Sequence, residues 1–123
     1  MIKQLLLTAI CSLTLFATEL APTKYSVAKQ EIGKGEIVML EAGSTHCHAC
    51  KDMGELLSKA ISEKPGRKIF FVDVGTEREA ATSLKVNMIP TQIVYDANGK
   101  EIDRHIGGFK AEGLKRFLSK NRI

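Results

Sequence analysis

Cys47 and Cys50 lie three residues apart, with His46 just before the first cysteine and His48 just after it. These residue types at this spacing support three kinds of chemistry. Thiolate and imidazole are ligands for Zn or Cu(I), so the four side chains read first as a metal-binding cluster. The two thiols also suit a structural disulfide, or a redox disulfide that opens and closes in turn. The metal reading meets a geometric difficulty. Four tetrahedral ligands within five residues crowd one another, and no second Cys/His cluster completes a site. The purely structural reading is weak as well, because closing so short a loop stabilises little. Lys51 stands where a C-x-x-C-H haem attachment signal needs histidine, which argues against covalent haem.

The elements that must hold the pair can be read from periodicity. "EIVMLEA", Glu36 to Ala42, is apolar apart from Glu41 and predicts a buried strand. From Cys50 onward Met53, Leu56, Leu57, Ala60 and Ile61 recur at helical spacing, and Pro65-Gly66 ends that helix. The pair therefore falls at a strand-to-helix junction, where the helix dipole and free N–H groups stabilise a thiolate. Cys47 is the expected exposed nucleophile, with Cys50 behind it as the resolving thiol.

"KIFFVDV", Lys68 to Val74, predicts a central strand, and "EREAATSLKV", Glu77 to Val86, a short helix. "TQIVYD" and "EIDRHIG" flank Asn98-Gly99 and predict a hairpin, after which Leu114, Phe117 and Leu118 mark a C-terminal helix. Strands alternating with helices imply a parallel pair, and the hairpin adds antiparallel strands. The expected fold class is α/β, a three-layer sandwich around a central mixed sheet.

The chain has 123 residues, 44% hydrophobic and 26% charged, which suits one globular domain. Its net charge of +4 comes without long basic runs, so a solvated surface is expected and nucleic acid is not an expected partner. Residues 1–17, "MIKQLLLTAICSLTLFA", combine an early Lys3, a short apolar stretch and small Ala17. That is the pattern of a secretory signal peptide cleaved after Ala17, and too short for the roughly 20 residues of a membrane anchor. Ile10 is bulky for the residue before a lipid-modified Cys11. The expected organisation is a signal peptide over 1–17, a linker with a short strand or helix over 18–35, and a domain over 36–123. Export, to the periplasm or its equivalent, leaves Cys47 and Cys50 as the only cysteines, in a compartment where disulfides persist.

"CHACK", Cys47 to Lys51, followed by "NMIPTQIVYDANGK", Asn87 to Lys100, resembles the thioredoxin family over roughly Glu36 to Lys120. The resemblance implies a thioredoxin-like α/β/α sandwich and a thiol:disulfide oxidoreductase whose only redox group is a Cys47–Cys50 disulfide, with no cofactor or metal. It implies a cis Pro90 beside that disulfide, and a substrate strand bound along Ile89, Pro90 and Thr91. Thioredoxins also carry a buried aspartate where this sequence has Glu41, which would move protons to and from Cys50. Glu41 lies six residues before Cys47 in an apolar strand, and burial would raise its pKa towards that of a useful base. A strand-end glutamate facing water is the alternative. The lysine that often accompanies the acid would fall near Phe71 and is absent.

The family's tryptophan before the first cysteine and its Gly-Pro between the two are replaced by His46 and His48-Ala49. Both histidines are candidate redox-tuning residues. A one-unit fall in a thiol pKa corresponds to about 1.4 kcal/mol, or about 30 mV in a two-electron potential. His105 is assigned no role. Within the family the size and export signal are most similar to periplasmic members and the C-terminal domain of the thiol transporter DsbD. The expected activity is reduction of disulfides in exported proteins by a monomer, with a membrane thiol transporter as electron donor. The alternatives are a disulfide donor or isomerase of the same fold, a Zn- or Cu(I)-binding protein, and a thioredoxin-like binding module.

Overall fold

A computed structural model describes residues 18–123; the expectations for the signal peptide, Lys3, Cys11 and the cleavage site lie outside the described residues. Every residue of β1 (Val38–Gly43) is buried, because the strand lies between two others with helices on both faces. It runs parallel to β2 (Lys68–Asp73) and antiparallel to β3 (Thr91–Tyr95). β4 (Glu101–Ile106) joins β3 antiparallel, giving the sheet order β2-β1-β3-β4.

Side chains alternate across a strand, so the sheet builds two separate cores. On one face Val38, Leu40, Ala42, Val72 and Ile93 pack against Ala28 of α1 (Tyr25–Glu31) and Leu84 of α3 (Arg78–Leu84). On the other, Met39, Ile69 and Val94 meet Met53 and Leu57 of α2 (His48–Glu63) and Leu114 and Phe117 of α4 (Ala111–Lys120). This is the expected α/β/α sandwich with a mixed sheet.

Two expectations are refined. The hairpin predicted around Asn98-Gly99 closes through residues 96–100. Asp96 Oδ1 accepts the N–H groups of Asn98 at 3.0 Å and Lys100 at 2.9 Å, and Gly99 takes φ +88°, which its missing Cβ permits. The segment read as a linker is tied to the body of the domain. Leu20 N–H donates to Gly54 O at 3.1 Å and Thr23 N–H to Phe71 O at 2.7 Å, while Pro22 bridges to Phe71. Its polar composition shows no period because few of its side chains turn inward. Among the described residues no helix is long and apolar enough to cross a membrane.

Candidate active site

β1 ends at Gly43 and α2 begins at His48, so residues 44–47 must turn the chain through a short loop. Buried Asp73, at the end of β2, pins that loop. Its carboxylate accepts from Thr45 Oγ1 at 3.2 Å and from the N–H groups of Gly75 and Thr76 at 2.9 and 3.3 Å. Gly43 leaves room for the second cysteine, since a Cβ at this position would lie 3.0 Å from Cys50 Sγ.

Cys47 is the N-cap of α2, with extended backbone, and its Sγ accepts the Cys50 N–H at 3.3 Å. An N-cap sulfur faces the unpaired amides of the first helical turn, the place where a thiolate is best stabilised. The cysteine Cα atoms are 5.1 Å apart and the sulfurs are joined as a disulfide. Cys47 is half-exposed, whereas Cys50 is 6% exposed. One sulfur is open to a large partner and the other is shielded behind it.

Glu41 is 1% exposed, on the α2 face of β1, so the water-facing alternative is excluded. Burial deprives the carboxylate of solvent and pushes its pKa up to about 8, with Gln92 hydrogen bonds pulling the other way. Glu41 and Cys50 line one small cavity, about 10 Å³, with Leu57, Phe71, Glu19 and Leu20 among its walls. That is about the space of a single water molecule. The chain at Glu19 and Leu20 lies across α2 at Gly54, whose carbonyl accepts the Leu20 N–H at 3.1 Å. Lys51 and Glu19 pair over the cavity rim at 3.9 Å. Opposite Glu41 on β2 stands Phe71, an aromatic ring where the family's lysine is absent.

The Ile89–Pro90 peptide is cis, and Pro90 is buried while Ile89 is 38% and Met88 66% exposed. Thr91 departs from its expected substrate-binding role. Its side chain is buried, its hydroxyl donates to Met88 O at 2.6 Å, and its backbone is paired with β1 and β4. It holds the loop from within and is not open to a partner.

The histidines are not gathered into a cluster. His48 is 91% exposed and its Nε2 lies 3.9 Å from Asp52 Oδ2, one helical turn on. His46 is exposed, and only its backbone N–H is engaged, with Ser44 Oγ at 3.2 Å. Among the described residues no group of three His, Cys, Asp or Glu side chains converges as metal ligands. Sequence reasoning missed Gln92 and His105. Gln92 Nε2 donates to both Glu41 oxygens at 3.0 and 3.2 Å, and its Oε1 lies 2.6 Å from His105 Nδ1. The available signal was Gln92 itself, a long polar side chain directly before the apolar run Ile93-Val94.

The arrangement resembles known proteins in sequence and in shape. The thioredoxin family model matches residues 18–120. A thioredoxin of Malassezia sympodialis is 30% identical over 87 residues, covering 69% of this chain and 82% of its own. Protein disulfide-isomerase 5-1 of Arabidopsis thaliana is 32% identical over 75 residues, covering 58% of this chain and 51% of that longer protein. The structure of Fasciola hepatica thioredoxin superposes with a TM-score of 0.70 at 23% identity, over 80% of this chain and 94% of its own. That of the Malassezia sympodialis thioredoxin gives 0.69 at 24% identity, over 88% and 100%. With an N-cap cysteine bonded to a shielded one, on a fold that these structures share, the chain belongs to the thioredoxin family and is a thioredoxin-like disulfide oxidoreductase.

Proposed function

We propose that this protein is an exported reductase of protein disulfides. The observation that carries the reading is the buried Glu41 sharing a one-water cavity with shielded Cys50, behind half-exposed Cys47. In the reduced protein the Cys47 thiolate attacks a substrate disulfide lying along Ile89 and Pro90. One substrate sulfur leaves as a thiolate and the other stays bonded to Cys47. Glu41, ionised, takes the Cys50 proton; the new thiolate attacks Cys47 Sγ, closing the Cys47–Cys50 disulfide and expelling the second substrate sulfur. Two electrons pass to the substrate and are replaced by an outside dithiol, such as a membrane thiol transporter. The signal-like residues 1–17 support export and exported proteins as substrates.

Equilibrating the protein with defined glutathione mixtures tests the direction. A potential near thioredoxin's, about −270 mV, supports a reductase, and one near about −120 mV, that of a strong disulfide donor, overturns it. A disulfide donor or isomerase of the same fold is the second reading, supported by the likeness to a protein disulfide-isomerase, and a less negative potential favours it. Export is tested by cell fractionation and N-terminal sequencing. A mature chain beginning near Thr18 in the exported fraction supports it, and an intact Met1 in the cytosol overturns it.

A further inference from the structure

Glu41, Gln92 and His105 are register partners on β1, β3 and β4, and so form one polar row across the sheet. Gln92 is fully buried and touches a titratable group at each end. An amide has one donor end and one acceptor end, which constrains both neighbours together. With Nε2 towards Glu41, the amide satisfies a carboxylate, and its Oε1 accepts an Nδ1–H from His105. With the amide turned over, Oε1 accepts the O–H of a protonated Glu41, and the NH₂ donates to a bare Nδ1. The constraint is one-sided. An ionised Glu41 facing Oε1 sets two acceptors together in a buried site, where an unmade hydrogen bond is most costly. A protonated Glu41 keeps a C=O that can still accept from Nε2, and so admits either orientation.

The groups around the row leave that link undisturbed. Phe71 flanks Glu41 on β2, and from α2 and the N-terminal segment Cys50, Lys51 and Glu19 share its cavity, the last two paired with each other. His105 stacks on Phe109 at 3.8 Å between ring centres, and Phe117 of α4 lies at 6.1 Å. Asp103, two residues along β4, is engaged by Asn121 at 2.9 Å and Lys120 at 3.0 Å.

Resting on the dithiol mechanism, we propose that Gln92 and His105 are positioning residues, a turning amide that ties the proton on Glu41 to the ring tautomer of His105. An Nδ1–H on His105 holds the carboxylate ready to take the Cys50 proton. The Nε2–H tautomer holds the acid. The state of a buried base is thereby set from the half-buried edge strand.

The test is NMR on the reduced full chain carrying ¹⁵N-histidine and ¹³C-glutamate. Between about pH 9.5 and about pH 7, as Glu41 takes up its proton, the restriction to Nδ1–H is lifted and the Nε2–H tautomer of His105 should gain population. In Gln92→Leu that change should vanish. His105→Phe, which keeps a ring against Phe109, should shift the pH midpoint of disulfide exchange by about half a unit to one unit, a threefold to tenfold change in rate on the slope. A purely structural histidine would leave the midpoint in place. A wild-type tautomer that stays fixed across this range overturns the coupling, as does an unmoved midpoint in His105→Phe. Disulfide reduction by the wild type is measured in parallel. A protein that exchanges no disulfide overturns the proposed reductase function, while the tautomer still decides the coupling.

Discussion

Leu40 and Glu41 are neighbours in β1, equally buried, and point to opposite faces of the sheet. Around Leu40 the face towards α1 and α3 is apolar, and its residues serve to fill volume. Around Glu41 the face towards α2 and α4 is crossed by a polar row, His105 to Gln92 to Glu41, whose Glu41 end shares a cavity with Cys50. Burying a carboxyl group where its charge is poorly solvated is costly, so the second face gives up stability for a proton carrier at the disulfide. The first face has no such break. The same strands supply both, because alternate residues answer to different neighbours.

Substitutions at the two residues should separate the faces. Glu41→Gln has the largest expected effect. The wild type should lose stability as pH rises from the ordinary carboxyl value of 4.5 through about 8, because the unfolded chain releases a proton that the folded chain keeps. At 1.36 kcal/mol per unit the loss is roughly 5 kcal/mol, and it should disappear in the variant. Denaturation at about pH 5 and about pH 9 measures it, and equal pH dependence in the two proteins would refute the buried-acid account. The same change should slow release of the Cys47 mixed disulfide by about 100-fold, the ordinary scale of a lost acid–base group.

Leu40→Ala sharpens the contrast from the other side. It should cost about 3 kcal/mol at every pH by leaving a cavity, while the pH midpoint of exchange stays in place. A moved midpoint would mean that the two faces are coupled. His48→Ala should have the smallest effect. Its side chain is almost wholly in solvent and turned towards Asp52, so the potential should change by less than about 30 mV. A larger change would restore His48 as a tuning residue.

The sequence made Cys47 and Cys50 legible because their chemistry depends on local spacing and on a strand-to-helix junction that periodicity reveals. Pro90 was legible only through resemblance, since composition says nothing about which proline lies near a disulfide. The burial of Glu41 was undecidable from its strand, because period-two alternation places it on a face without saying what covers that face. α2 and the chain at Glu19 and Leu20 supply the cover, and the second of these had read as linker. Thr91 was misjudged for a similar reason, as its hydroxyl turns inward to Met88.

By itself, then, the chain's pattern determined the alternating strands and helices, the two apolar faces and the redox pair at a helix start. All of these rest on residues close in sequence, where the backbone period dictates what shares a face. Only the tertiary structure decided that Glu41, Gln92 and His105 meet. Glu41 and Gln92 are 51 residues apart and Gln92 and His105 are 13 apart. Their contact exists only in one strand order and one register, and a slip of one residue would turn each side chain to the opposite face.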